Sequence, residues 1–337
     1  MRRNEAGLEQ WHDLYDVTMR IKSLQPWEHL WDMDLVTLQL PEFEQPFFVS
    51  VMGRNGECFA IAVMEGADAL LDFYRLADSG DIPSGQLIRY QNNMTCYFGD
   101  REELSKSERD TIKELGLKFR GRNQWIYFRS FARGYAPFTL DQEQVVKLTR
   151  VFQELFMALK AFLENQIPVD FENGQTIYRY FDSEKGLWVT TGGTLKRPLK
   201  KYRVPVVEDE VLIKRLKGQK KTESELEIDT LYLNAIINHA ESGRPIMPVM
   251  VILADHDSGM LIDQEIISPG DDDIFTILGI LIDYIENSGR PKKVVARDEE
   301  MAHLLSDLCR RVDIQVEIKG RLEAIDTFAE EFEKFSF

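Results

Sequence analysis

Three carboxylates toward the C-terminus have the placing that metal-assisted phosphodiester chemistry needs. Asp255 ends the apolar run Val249 to Ala254, Asp298 follows the run from Lys293 to Ala296, and Glu323, with Asp326 close behind, opens a last helical stretch. Acids at strand ends and on a late helix can hold two divalent ions that activate water and stabilise a leaving oxygen. Magnesium or manganese would be the cofactor of that reading, and without it no cofactor or metal site is expected. The same residues also suit local structure. Asp298, like Asp100, stands where a helix N-cap belongs. Asp255 and Asp257 are common turn residues, and Asp271, Asp272 and Asp273 complement a helix N-terminus.

A second constellation is Arg120, Arg122, Trp125, Tyr127, Phe128, Arg129, Phe131, Arg133 and Tyr135. Guanidinium groups interleaved with aromatic faces can grip single-stranded nucleic acid by charge and stacking. Aromatics at strand spacing equally pack on a core, and the arginines have many acids of this chain to pair with. There is no Walker loop, dinucleotide fingerprint, His-Glu-x-x-His or nucleophile elbow. Gly192-Gly193-Thr194-Leu195-Lys196 follows a strand, yet no helix comes next to supply a dipole for phosphate, so a hairpin-end turn is expected there.

The 337 residues carry a net charge of −16. Ten basic residues against three acidic ones between Lys196 and Lys221 make that segment +7, which leaves −23 for the remainder. Such a surface repels duplex DNA over most of its area and offers one short anion contact. Intrachain pairing with the acidic C-terminal part is the other use for those cations. Cys58, Cys96 and Cys309 have no zinc or dithiol spacing and read as buried thiols; the histidines (12, 29, 239, 256 and 303) are as scattered. No apolar run reaches membrane-span length and no secretory signal opens the chain, so a cytoplasmic protein without a membrane partner is expected. A protein partner, a second copy of the chain or nucleic acid are the partners left open.

The elements that would position these residues follow from hydrophobic period. Helices are expected near Leu8–Ser23, Ala67–Ala77 (stopped by Ser79-Gly80), Glu102–Leu115 and Leu140–Asn165. The last carries the stripe Val145, Leu148, Phe152, Leu155, Phe156 and Leu159, with Thr139 and Gln142 at capping-box spacing. Strands are expected at Leu35–Leu40, Phe47–Met52, Cys58–Met64, Met94–Phe98, Leu117–Phe119 and Trp125–Phe131. Asn55-Gly56 marks a hairpin turn. A second hairpin, Thr176–Tyr180 with Leu187–Thr191, lies in the middle, and Gly218–Ser224 is the best linker. The C-terminal order reads hairpin (Val249–Ala254, Met260–Ile267), helix Asp271–Asn287, strand Lys293–Ala296, helix Glu299–Arg311, strand Ile314–Ile318 and helix Leu322–Phe335.

The two ends echo one another: each has a hairpin, a helix with a Ser-Gly stop, then a strand leading into an acidic helix start, as in Phe98-Gly99-Asp100-Arg101-Glu102-Glu103 and Ala296-Arg297-Asp298-Glu299-Glu300. The expected fold is therefore α/β (α+β being its neighbour), with two related β-hairpin-α-β-α-β units packing helices on mixed sheets. Domains are expected at 1–166 and 223–337, joined by a β-rich basic connector at 167–222. The carboxylate layout resembles a ribonuclease-H-like fold, which would imply a metal-dependent nuclease or phosphodiesterase using Asp255, Asp298 and Glu323. A wider resemblance runs through Tyr127-Phe128-Arg129-Ser130 and Gly134-Tyr135-Ala136-Pro137 ahead of the long helix, and through Pro248-Val249-Met250-Val251 and Arg290-Pro291-Lys292-Lys293-Val294 to Phe328. These stretches look like an uncharacterised bacterial family with two domains of unknown function, and that resemblance implies neither activity nor ligand. The leading expectation is a non-catalytic binding or interaction protein.

Overall fold

Helix α1 (Leu8–Ser23) buries Leu14, Tyr15, Val17 and Ile21 on one face. Strands β1 (Val36–Gln39), β2 (Phe47–Met52) and β3 (Ala60–Glu65) follow, then helix α2 (Gly66–Ala77), β4 (Asn93–Gly99), α3 (Lys106–Glu114), β5 (Trp125–Phe131), α4 (Gln142–Leu163), and the hairpin β6 (Gln175–Asp182) and β7 (Leu187–Thr194). The computed structural model describes residues 3–78, 80, 83–195, 197–233, 235–238, 243–267 and 272–335. Ser79, Lys196, His239 and Asp271, which entered the sequence reading, lie outside the described residues.

Seven strands form one sheet in the order β5-β4-β3-β2-β1-β6-β7, antiparallel throughout except at β1–β6. Helices α1 and α4 cover one face around Phe47, Phe128 and Phe152, and α2 covers part of the other around Phe48, Met64 and Leu70. The α4 stripe is buried as expected, with Phe156 partly covered. Its cap differs. Arg3 donates to the Thr139 carbonyl and hydroxyl and to the Leu140 carbonyl, so Asp141 takes the cap position and exchanges bonds with Gln144. The strand expected at Leu117–Phe119 does not form, because β5 already pairs along β4 from Gly99–Trp125 to Asn93–Phe131. Phe119 packs instead on Tyr15 and Trp125.

The second domain begins with α5 (Glu210–Lys217), whose Ile213 and Leu216 enter its core. Strand β8 (Glu225–Tyr232) comes next, then the two-residue strands β9 (Ile237–Asn238) and β10 (Pro245–Ile246), β11 (Val249–Asp255), β12 (Leu261–Ile267), α6 (Asp273–Ser288), β13 (Lys293–Ala296), α7 (Glu299–Arg311), β14 (Gln315–Ile318) and α8 (Glu323–Phe335). Five strands order as β12-β11-β8-β13-β14: β8, β11 and β12 are an antiparallel meander, and β13 and β14 run parallel to β8. Helices α5, α6 and α7 pack on one face around Leu226, Val251 and Leu281, and α8 packs on the other around Ile252, Val295 and Ile325. The molecule is an α/β protein with two mixed sheets. No helix among the described residues is long and apolar enough to cross a membrane.

Two expectations need correction. The expected repeat does not extend to pairing: β4 lies antiparallel beside its hairpin strand β3, whereas β13 lies parallel beside β8, away from the β11–β12 hairpin. The hairpin expected in the connector pairs through β6 with β1 and so extends the first sheet.

Backbone bonds also join the domains. Tyr135 and Ile246 form an antiparallel bridge, with Ala136 donating to the Pro245 carbonyl and Met247 to the Gly134 carbonyl.

Glycine is required where α6 ends. Gly289 has φ +99°, and a Cβ there would meet the Lys220 carbonyl oxygen at 2.5 Å, while Gly279 inside the same helix has open space around it. Gly289→Ala should therefore lower stability by more than about 1 kcal/mol and Gly279→Ala should raise it by roughly 0.5–1 kcal/mol. Urea unfolding midpoints of the two variants check this.

Candidate functional site

Strand β8 alternates Leu226, Ile228 and Thr230 with Glu227, Asp229 and Leu231, and a strand turns alternate side chains to opposite faces. Leu226 and Ile228 join the core under α5–α7, and Leu231 joins the core under α8. Glu227 and Asp229 share the α8 face and are buried there, so each needs partners. Both have them. The Glu227 carboxylate accepts from the backbone N–H groups of Ala324 and Ile325, which open α8, and lies 2.5 Å from Nδ1 of His256.

Asp229, 1% exposed, sits between two guanidiniums. Arg89, on the short 3-10 turn Ser84–Tyr90 of the first domain, donates to both carboxylate oxygens at 3.0 and 3.2 Å and also to the Thr230 carbonyl. Arg297, at the end of β13 and fully buried, donates from Nε to Asp229 at 2.5 Å, from Nη2 to Asp326 at 2.5 Å and from Nη1 to the Gly320 carbonyl at 2.8 Å. Burial pushes the Asp229 carboxyl upward, but Arg89 and Arg297 outweigh it and hold the group below the usual carboxylate range. Beside this pair, Gln86 accepts from the Tyr232 backbone N–H at 3.0 Å.

A second ion cluster closes the same boundary. Arg133, just past β5, bridges Asp72 of α2 at 3.1 Å and Glu300 of α7 at 3.1 Å, and Lys200 reaches Glu300 at 2.8 Å. Burial wins at Asp72, whose carboxyl is raised against the pull of Arg133 and Lys200. At Glu300 burial loses to the same two cations, and the carboxyl is held at about 2. Between the clusters, Tyr90 donates to Asp298 at 2.7 Å, and Asp298 caps α7 by accepting from the Met301 N–H.

These residues wall a cleft between the domains. A cavity of about 360 Å³ runs from Arg89, Tyr90 and Arg133 to Ile277 on α6 and Met301 on α7, and one of about 380 Å³ adjoins it across Tyr90, Asp298 and Glu300. It opens at the carboxyl ends of β8, β12 and β13, where α6 and α7 begin, the position at which open α/β sheets take ligands.

The three carboxylates weighed for metal chemistry are not brought together. Asp255 ends β11 opposite Leu226, at the amino end of β8, while Asp298 follows β13, which runs parallel to β8. The two therefore stand at opposite ends of the sheet. Asp255 accepts from the Ser258 hydroxyl and N–H, which hold its carboxyl below the ordinary range. Glu323 is exposed beside Arg321. No His, Cys, Asp or Glu cluster among the described residues is arranged to hold a metal ion. The sequence reading took the Asp255 strand as the first of its unit, but an earlier strand pairs with it. That strand is β8, and its acid Asp229 faces Asp326 of the last helix with the Arg297 guanidinium between them.

The arginine–aromatic set divides. Arg120 and Arg122 are exposed in the loop before β5. Trp125, Tyr127 and Arg129 share the outer face of that strand, where Tyr127 stacks on Tyr97 and Arg129 pairs with Glu108. Arg133 turns into the cleft. Much of the basic segment pairs within the chain, as Lys200 does with Glu300, Arg215 with Glu286 and Lys217 with Asp313. Gly192 and Gly193 lie inside β7, where a Cβ would strike the Pro168 carbonyl or the Tyr178 side chain, so close packing accounts for them rather than a turn.

The model of the domain of unknown function DUF7309 matches residues 11–179, and that of the domain of unknown function DUF6930 matches residues 212–333. No curated protein and no solved structure matches the chain.

The depressed Glu300 carboxyl has a defined pH signature. A group whose folded value lies near 2 and whose unfolded value lies near about 4.3 contributes stability that is complete above the unfolded value and fades as pH falls between the two. Glu300→Gln should cost about 1–2 kcal/mol at neutral pH, allowing for its partial exposure. The gap to the parent protein should close between about pH 4.5 and pH 2, which urea unfolding at stepped pH measures.

Proposed function

The chain belongs to the family of the domain of unknown function DUF7309, and from its geometry we propose that it is a non-catalytic binding protein whose ligand enters the cleft between its two domains. The observation that carries this reading is Arg297. Its guanidinium lies between Asp229 of the central strand and Asp326 of the last helix, and so supplies in fixed form the positive charge that a divalent ion would bring to such a pair of acids. Arg89 adds a second cation from the other domain. Acids neutralised in this way serve to shape a cleft rather than to activate water. The setting we propose is a bacterial cytoplasm, since the thiols of Cys58, Cys96 and Cys309 are all unpaired, as a reducing compartment would keep them.

The nuclease alternative makes a contrary forecast. Titration of the full chain with manganese should give neither saturable heat nor a melting shift, and bis(p-nitrophenyl) phosphate should stay intact. Saturable manganese binding with hydrolysis of the diester would overturn the reading. A single-stranded oligonucleotide should run unretarded at low salt, because Arg129 and Arg133 already hold carboxylates.

A further inference from the structure

The cleft also carries information about what fills it. Arg89 has a side chain only 7% exposed and lines the 360 Å³ cavity, yet its Nε is buried without a hydrogen-bond partner. A buried donor left unpaired is costly, and what it lacks is an acceptor oxygen. The acids around the cavity are already engaged: Asp229 by Arg89 and Arg297, Glu300 by Arg133 and Lys200, and Asp298 by the Tyr90 hydroxyl and the α7 cap. Arg203 stands at the same cavity with its side chain 60% exposed and forms a loose ion pair with Asp273 at 3.7 Å, too long for a hydrogen bond to that carboxylate. Asp273 itself accepts from the Ile274 N–H. Among the described residues, the Arg203 guanidinium therefore offers donors to an acceptor oxygen of a ligand. The opposite wall is apolar, made by Val249, Ile267, Ile277, Met301 and Leu304. The starts of α6 and α7 at this cavity add their positive dipole ends.

Resting on the cleft-binding reading, we infer that the ligand is a small organic acid with an apolar body. Its carboxylate would lie toward Arg203 and Arg89 and its hydrocarbon against the wall of β11, β12, α6 and α7. The cavity volume lies within the range of small-molecule sites, and one charged end against an apolar wall is their usual make-up.

Octanoate, octan-1-ol and octylammonium separate the possibilities. Each is titrated into the full chain labelled with ¹³C at methionine and isoleucine methyls, and the Met301 and Ile277 signals are followed. Octanoate should shift both saturably, at least about tenfold more tightly than either analogue, and Arg203→Gln should weaken it by about tenfold, as loss of one charge-assisted contact does. Arg203 is exposed, so that variant keeps the fold. Equal or tighter binding of the alcohol or the ammonium, or no effect of Arg203→Gln, overturns the acid assignment and leaves cleft binding standing. Signals that none of the three probes moves overturn both.

Discussion

The boundary between the two domains is centred on one buried carboxylate. Asp229 lies in the middle of the central strand of the second sheet, almost wholly removed from water, and receives one guanidinium from its own domain and one from the other. An ion taken out of water carries a desolvation cost of several kcal/mol, offset only when geometry is good and its remaining lone pairs are bonded. Here Arg297 is held in turn by Asp326 and the Gly320 carbonyl, and Arg89 by the Thr230 carbonyl. Four charges cancel in pairs. Such a network is a weak source of net stability, because an apolar replacement of equal shape can serve as well, but it is intolerant of losing one member. It therefore acts chiefly on arrangement, fixing which turn of the first domain meets which strand of the second.

The rest of the boundary follows. With Arg89 anchored, Gln86 reaches the Tyr232 backbone and Tyr90 reaches the α7 cap. The Gly134–Ala136 segment adds backbone bonds to Pro245 and Met247, and Arg133 ties α2 to α7. Between these fixed points a cleft is left at the carboxyl ends of three strands, charged on one wall and apolar on the other. Its shape is set by groups whose charges are already matched.

Much of this was legible in the residues. The α4 stripe, the Phe47–Met52 strand and the C-terminal alternation of strands and helices rest on hydrophobic period, which burial enforces. The site was harder to read. Glu225-Leu226-Glu227-Ile228-Asp229 alternates as a strand should, but its acids stand where a half-buried strand carries solvated side chains. Only pairing with Arg89, Arg297 and the α8 backbone makes them interior residues. Those partners lie from 68 to 140 positions away along the chain, so no local spacing reveals them. Arg297 was visible as a charge directly after the apolar Val294-Val295-Ala296, which in hindsight is the available signal. Asp255 does not meet Asp298 for a topological reason: with β8 in place its strand is the second, and its end faces away from Asp298.

The role given to Asp229 is most directly measured by a double-mutant cycle of unfolding free energies on Arg89→Met and Asp229→Leu. Each single change strands a buried charge and should cost about 3–5 kcal/mol, while the double variant should recover about 2–3 kcal/mol of the summed loss. Losses that simply add, to within about 0.5 kcal/mol, would mean that the two residues do not hold the domains together through one another.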